Sequence, residues 1–260
     1  MPEWSDAHLV ALARASAAVG VLAHAFQPIW DLRSDRVLGF EALARFPGGE
    51  PPQAVWEAAR SQPGQLWLEL DRASIASALR QARGLPGLLF VNCSGRYLGG
   101  VHPFSDVVAA AKAEHRPEPG SLVIELTEDG TGAAVGAGPL VERLRGMGAL
   151  LALDDADRGA ATAGRLAALG RHLAFVKVGP EVLDGPLGRR RRLLHEWARR
   201  AAACGARVIA EGIEDRAALP WLRSCGVGLA QGHGLGRPMP AAHWTPARLR
   251  RQATLPAPAG

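Results

Sequence analysis

Short apolar runs alternate with longer amphipathic stretches along most of the chain. The apolar runs are rich in Val, Ile and Leu and have the length of buried strands, whereas most of the stretches between them have the period of a helix. The predicted strands are His24–Leu32, Val37–Arg45, Leu88–Cys93, Leu122–Thr127, Leu150–Asp155, Phe175–Val178, Arg207–Ile213 and Gly228–Gly232. The predicted helices are Gln65–Arg83, Phe104–Glu114, Ala134–Met147, Ala160–Leu169, Arg189–Cys204 and Asp215–Cys225.

This alternation predicts an α/β fold, and its eight strands favour a single (β/α)8 TIM-type barrel. Only residues 33–36 join the first two strands, whereas a parallel crossover needs about a dozen residues. We therefore expect the first strand to run antiparallel to the second. The predicted divisions are an N-terminal helix in residues 1–20, the barrel domain in residues 21–242, and a frayed Pro/Ala-rich tail in residues 243–260.

The composition excludes several classes of protein. Hydrophobic residues make up 48% and charged residues 21% of the 260 residues, which is globular and not disordered usage. The longest apolar stretches, such as Ala17–Ala23, are shorter than the ~20 residues of a membrane span. The acidic start at Met1–Asp6 does not resemble a basic signal peptide. Cys93, Cys204 and Cys225 lack the C-x-x-C spacing of a zinc module. We therefore expect a cytoplasmic protein with no membrane partner.

The net charge of +5 comes almost entirely from arginine, because only Lys112 and Lys177 are lysines among the 30 basic residues. This bias is typical of compositional drift. The Arg189–Arg192 run lies on one amphipathic helix and is best read as a solvated face, so we expect no nucleic-acid partner. Lys177 is notable in this background, because lysine and arginine differ at sites of chemistry.

Polar residues, most of them acidic, end seven of the predicted strands. The ends of parallel barrel strands share one face, where barrel enzymes hold their active sites. One such acid is usually a helix cap, but so many like charges require cations among them. Oxygen ligands without histidine or thiolate favour Mg²⁺ or Mn²⁺ over zinc. The residues are Glu41, Asn92, Glu125, Asp154 with Asp155, Lys177, Glu211 and Gln231.

The adjacent pair Asp154 and Asp155 suits two ions about 3.5–4 Å apart, the arrangement used for in-line attack on a phosphate ester. The residues themselves thus point to metal-assisted hydrolysis of a phosphoester. The alternative explanation, helix caps and salt bridges at the barrel rim, stays open at this point.

Eight ordered motifs resemble the EAL-domain family of cyclic-di-GMP phosphodiesterases, and the resemblance runs from about Val21 to Pro240. The family signature itself is Glu41-Ala42-Leu43. The other motifs are Phe26–Ile29, Val91–Ser94, Glu125–Glu128, Asp154-Asp155, Lys177, Ala210–Glu214 and Gln231-Gly232. Such an ordered set is far more specific than the three-letter signature alone.

The resemblance implies an enzyme that opens cyclic-di-GMP to linear pGpG with two Mg²⁺ or Mn²⁺ ions. It implies catalytic roles for Lys177 beside the nucleophilic water, for Glu211, and for Glu128 in steadying a loop. The implied metal ligands are Glu41, Asn92, Glu125, Asp154, Asp155 and Glu211. The residues implied to hold the dinucleotide are Gln27, Leu43, Arg45, Gln231 and Glu214.

Three departures from the family pattern keep other functions open. Where the family usually has the loop F-G-T-G, this chain has Ala156–Gly159. Where the family has an aspartate two residues after the lysine, this chain has Gly179. The tyrosine of the family's Q-G-Y is replaced by His233, which we expect at the rim of the barrel. Loss of such supporting residues can reduce activity roughly 10–100-fold. The alternatives are a cyclic-di-GMP receptor without turnover and a protein-interaction module using the helix Arg189–Arg200. The resemblance implies a dimer contact near this loop, and because the loop is rebuilt here we expect a weak or ligand-dependent homodimer. Members of the family often follow a sensor domain, which this chain lacks, so we expect input from a sensor or effector protein in trans or from the level of expression.

Overall fold

The computed structural model describes residues 4–94, 121–127, 138–154, 156 and 160–253. Within these ranges eight strands form a closed barrel in which neighbours in sequence are neighbours in space. The strands are β1 (Ala23–Asp31), β2 (Arg36–Arg45), β3 (Leu88–Cys93), β4 (Leu122–Leu126), β5 (Leu150–Leu153), β6 (Phe175–Val178), β7 (Arg207–Ala210) and β8 (Leu229–Ala230). The predicted α/β barrel is therefore confirmed.

The first strand runs against both of its neighbours, as the short connection predicts. β1 pairs antiparallel with β2 and with β8, while every other pair in the barrel is parallel. The carboxylate of Asp31 accepts backbone hydrogen bonds from Arg33 and Ser34 and so shapes the tight turn. Because β1 is reversed, its first half reaches the same end of the barrel as the carboxyl ends of the other strands.

Helices surround the barrel. In the described part of the chain they are α1 (Asp6–Val19), α2 (Pro52–Ser61), α3 (Leu66–Gln81), α4 (Gly138–Gly146), α5 (Ala160–Leu169), α6 (Pro180–Leu183), α7 (Leu187–Ala203), α8 (Leu219–Ser224) and α9 (Pro246–Ala253). The helix α1 packs on α2 and α3 through its buried residues Leu9 and Ala13. None of the described helices is both long and apolar enough to cross a membrane.

Apolar side chains fill the barrel below its mouth and the space between barrel and helices. The larger cluster lies between the strands and the helices. The smaller one lies inside the barrel, where the rings of Phe90 and Phe175 are 5.2 Å apart. Its buried members are Ile29, Phe90, Val123, Ala152, Phe175, Ile209 and Leu229. This layer forms the floor on which the polar residues of the mouth lie.

Several elements differ from the sequence predictions. The strands β5, β7 and β8 end one residue before Asp154, Glu211 and Gln231, which the predicted strands included. These three side chains line the cavity at the mouth of the barrel. The helix α2, which begins with a proline pair, was not predicted. The predicted helix Phe104–Glu114 lies outside the described residues. Residues 246–253 form α9 where a frayed tail was predicted, because Trp244 is 4% exposed and its indole N–H donates to the Phe26 carbonyl at 2.7 Å.

Candidate active site

The site residues form a second layer directly above the apolar floor of the barrel. Successive side chains of a strand point to opposite faces, so residues two apart share a face. Each floor residue is therefore followed, two positions nearer the mouth, by a polar residue that faces the same way. The pairs are Ile29 with Gln27, Phe90 with Asn92, Val123 with Glu125, Ala152 with Asp154, Phe175 with Lys177, Ile209 with Glu211 and Leu229 with Gln231.

The ammonium of Lys177 lies at the centre of this polar layer. Its Nζ is 2.9 Å from Glu211, 3.1 Å from both Glu125 and Asp154, and 3.3 Å from Glu41. The lysine side chain is 1% exposed and that of Glu125 is fully buried. Five of the predicted site residues thus converge from five different strands or strand ends.

A hydrogen-bond network fixes Glu41 on the side of the cluster nearest β1. The amide of Gln231 donates to Glu41 Oε2 at 2.6 Å and to Gln27 Oε1 at 3.0 Å. The amide of Asn92 donates to Glu41 Oε1 at 3.1 Å. Gln27 in turn donates to the Gly236 carbonyl at 3.1 Å. Both carboxylate oxygens of Glu41 therefore have defined donors, which hold its position before any ligand binds.

The charges of Lys177 and Glu41 stabilise each other despite burial. Burial acts to raise the pKa of Glu41, but the Lys177 ammonium and the hydrogen bonds from Gln231 and Asn92 outweigh it, so the pKa lies below its usual value. Burial acts to lower the pKa of Lys177, yet the surrounding carboxylates raise it well above the usual value. The lysine is therefore a permanent cation of the site.

Burial and crowding of the acids raise the pKa values of Glu125 and Glu211. Burial, followed by the charge of Glu41, raises the pKa of Glu125 well above its usual value, and Lys177 offsets only part of this. Burial raises the pKa of Glu211 to about 7; Lys177 opposes the shift, and the charges of Asp154 and Glu41 add to it. A single ammonium does not neutralise four acids, so Glu125 and Glu211 hold protons more readily than free carboxyls do.

The chemistry of the donors fits a hard divalent cation. Oε2 of Glu125 is buried without a hydrogen bond among the described residues, while Oε1 of Glu125 and Oδ1 of Asp154 face the Lys177 ammonium at 3.1 Å. These oxygens belong to a set made of carboxylates and one amide, which are ligands that hard cations prefer. In the same part of the chain, however, no three His, Cys, Asp or Glu side chains are arranged as ligands of one metal ion. The oxygens converge on Lys177 instead.

Two cavities border this cluster and share Leu43. The mouth cavity has a volume of about 290 Å³ and contains most of the predicted residues, namely Gln27, Glu41, Leu43, Asp154, Lys177, Glu211, Glu214 and Gln231. The side cavity, about 370 Å³, lies toward α2 and α3 and is lined by Arg45 and Asn92 among others. Arg45 donates to the carbonyls of Leu43 and Ala44. The residues predicted to hold the dinucleotide thus line these two cavities.

The structure adds residues that the sequence reasoning missed. Trp56 donates its indole hydrogen bond to the buried Asp71, and both line the side cavity together with His24. A signal for this cavity was available in the sequence, because Asp71 shares the buried face of α3 with Leu68 and Ile75. An acid on an apolar helix face indicates either a buried hydrogen bond or a site.

Some predicted residues are placed at the rim or lie outside the description. His233 lines the mouth cavity with its Nδ1 3.7 Å from Glu214, which agrees with the expected rim position. Gly179 immediately precedes α6, and no side chain projects from this position toward Lys177. Asp155, Glu128 and residues 157–159 lie outside the described residues, so their proposed roles stay predictions.

A barrel with a reversed first strand and a lysine-centred acid cluster at its mouth defines the class of protein. The chain belongs to the EAL domain family, whose model matches residues 10–238. An uncharacterized protein of Azorhizobium caulinodans is 29% identical in an alignment of 235 residues that covers 83% of this chain and 31% of that protein. The chain thus spans about a third of the length of that relative.

Solved structures share the fold. BlrP1 of Klebsiella pneumoniae, in a calcium and cyclic-di-GMP complex, has a TM-score of 0.73 and 26% identity; the match covers 85% of this chain and 56% of that one. The same protein is also solved with manganese and cyclic-di-GMP. The FimX EAL domain of Pseudomonas aeruginosa, bound to cyclic-di-GMP, has a TM-score of 0.76 and 24% identity over 89% of this chain and 96% of that one.

Proposed function

We propose that this protein binds cyclic-di-GMP and hydrolyses it to linear pGpG in a reaction that depends on a divalent cation. The observation that carries the proposal is the convergence of Glu41, Glu125, Asp154 and Glu211 on Lys177 at the barrel mouth. A receptor needs no such collection of acids around a doubly anionic ligand, since acids repel phosphate unless cations accompany them. The cyclic-di-GMP complexes of BlrP1, which include calcium or manganese, support the ligand and the cation class.

The proposed cation ligands are Glu41, Asn92, Glu125, Asp154, Asp155 and Glu211, for two Mg²⁺ or Mn²⁺ ions. Bound cations supply Lewis-acid stabilisation of the phosphate and activate a water for in-line attack. The chain's own contribution is to hold the oxygens in place through the Asn92 and Gln231 hydrogen bonds to Glu41. Lys177 then adds positive charge beside the attacking water and the charge that develops on the phosphate.

The dinucleotide is proposed to lie across the two cavities, held by Gln27, Leu43, Arg45, Gln231 and Glu214. Arg45 is exposed and exchanges its present backbone hydrogen bonds for a phosphate, to which a guanidinium can bind through two parallel hydrogen bonds. Trp56, whose indole N–H donates to the buried Asp71, gives the side cavity an aromatic face. Such a face is suited to a flat purine base.

The test is a product assay. Purified protein is incubated with cyclic-di-GMP and Mg²⁺ or Mn²⁺, and the products are separated by chromatography. We expect linear pGpG, abolished by chelation. Glu41→Ala and Lys177→Met should each lose hydrolysis by ~10²–10³-fold, the usual size for one electrostatic stabiliser. Glu142→Ala is the matched control, because it removes an exposed carboxylate of α4 that lines neither cavity, and it should keep full activity.

A receptor that binds without cutting is the second candidate. It is favoured by one observation: in the described residues the acids surround Lys177 and are not arranged as ligands of an ion. Calorimetry separates the two. Micromolar or tighter binding without product, even with Mn²⁺, would select the receptor. Neither binding nor turnover would leave only the interaction module built on α7.

The remaining proposals concern context. A cytoplasmic location is supported by Cys93, Cys204 and Cys225, which form no disulfide with one another. A weak or ligand-dependent homodimer and a sensor or effector partner in trans stay predictions, as do the domain limits at residues 21–242. Because the relative from Azorhizobium is much longer than this chain, the activity and partners of any longer protein are proposals as well.

A further inference from the structure

Lys177 occupies the position from which all four acids can be reached at once. Its Nζ lies 2.9–3.3 Å from oxygens of Glu41, Glu125, Asp154 and Glu211, and its side chain is 1% exposed. Among the described residues, no arginine or histidine forms an ion pair with any of these carboxylates. The lysine is therefore the counter-charge on which the metal-free cluster depends.

We propose that Lys177 is a resident counter-cation that competes with the divalent metal for the same carboxylate oxygens. It holds the acids together while metal is absent, and its ammonium must leave the centre of the cluster when metal binds. Lys177 thereby lowers the affinity of the protein for divalent cations. This inference rests on the metal dependence proposed above.

The competition follows from distance and charge. An ammonium sits about 2.7–2.9 Å from carboxylate oxygens, whereas Mg²⁺ requires them at about 2.0–2.1 Å. The two cations cannot share the centre, because a unit charge and a double charge a few ångströms apart in a buried site repel strongly. The absence of a ready set of three metal ligands in the described residues is what this arrangement predicts.

The mouth cavity beside Lys177 can accommodate the displaced ammonium. The mouth cavity of about 290 Å³ lies against Lys177 on its solvent side and is bordered by Gln231, Glu214 and His233. The four-carbon stem of lysine is flexible, so the ammonium can swing toward the cavity, where the phosphate of a dinucleotide would meet it. The same residue would then act on substrate only after metal has taken its place among the carboxylates.

The first experiment uses the wild-type chain, which contains only two lysines, Lys112 and Lys177. Protein labelled with ¹³C and ¹⁵N on lysine gives two side-chain signals, and Lys112→Arg assigns them. We expect the Lys177 signal to shift on titration with diamagnetic Mg²⁺, in step with binding measured by calorimetry, while the Lys112 signal stays in place. A Lys177 signal that does not move at saturating Mg²⁺ would overturn the proposal.

The second experiment measures metal affinity without substrate. Lys177→Met keeps the length and burial of the side chain and removes its charge, and Lys112→Met is the matched control. Calorimetry with Mg²⁺ and with Mn²⁺ should show roughly tenfold or tighter binding by Lys177→Met relative to both wild type and control. In chelator, the melting temperature of Lys177→Met should be lower than that of wild type. On adding metal, it should increase by more degrees than the melting temperature of wild type does. Equal or weaker metal binding by Lys177→Met contradicts the competition.

The outcomes separate this inference from the function on which it rests. Metal binding of equal strength in wild type and Lys177→Met would sink the inference and leave metal-dependent hydrolysis standing. No metal binding in either protein would remove both. If Lys177→Met folds only when metal is supplied, this result demonstrates directly that the four acids require a counter-cation. If it does not fold under any condition, the signal of Lys177 in wild-type protein decides the matter.

Discussion

His24 provides a sharp test of how burial controls charge beside the site. The imidazole lines the side cavity and is 6% exposed, with its ring nitrogens near the Leu22 carbonyl and the Ser74 hydroxyl, each at 3.1 Å. Burial lowers the pKa of His24 from 6.5 to about 4; the Leu22 carbonyl opposes this shift, and the charge of Arg45 adds to it. The folded protein therefore holds this histidine neutral near pH 7.

The sign of the effect on stability follows from these two values. The unfolded chain takes up a proton on His24 near pH 6.5, whereas the folded chain does so only near pH 4. The free energy of unfolding is thus unaffected above pH 6.5 and falls as the pH decreases from 6.5 toward 4. At about pH 5 the loss amounts to roughly 2 kcal/mol from this residue alone.

The assay is urea denaturation at about pH 7.5 and about pH 5 for wild type and His24→Gln. Other groups titrate in both proteins, so the informative quantity is the difference between their pH-dependent losses. Wild type should lose about 2 kcal/mol more than His24→Gln over this interval. His195→Gln, which removes an exposed histidine on α7, should behave as wild type. Equal losses in wild type and His24→Gln would refute the reasoning.

Two further predictions concern the frame that carries the site. Trp244→Ala should lower the free energy of unfolding measured in urea by about 3–5 kcal/mol, because a buried indole is removed. Trp244→Phe should lower it by only about 1 kcal/mol, because it loses the hydrogen bond to the Phe26 carbonyl but keeps a buried ring. An equal loss in both variants would show that burial of the ring does not stabilise the fold. Gly232→Ala should unfold or inactivate the protein, because a Cβ there would lie 2.2 Å from the Ile213 backbone nitrogen. Gly146→Ala, whose added Cβ meets nothing within 4 Å, should melt as wild type does by calorimetry.

Most of the mouth was predictable from local sequence patterns. Residues two apart on a strand share a face, so an apolar residue followed two positions later by an acid, as in Val123 and Glu125 or Ile209 and Glu211, predicts a floor residue and a mouth residue on the same strand. The length of the first connection predicts the reversed strand, since no crossover fits into it. These inferences need only strand geometry, which acts over a few residues.

Contacts between segments that are distant in the sequence could not be predicted from local patterns. Closure of the barrel brings Gln231 close enough to donate a hydrogen bond to Glu41. It also brings Trp244, in the segment predicted to be a frayed tail, into contact with Phe26. The same holds for Lys177. The sequence by itself determined that a lysine and several acids share the mouth, and it predicted that cations balance them. Only the tertiary structure decided that Lys177 is itself the cation at their centre, because position in three dimensions, and not residue type, sets which charges come within 3.3 Å of one another.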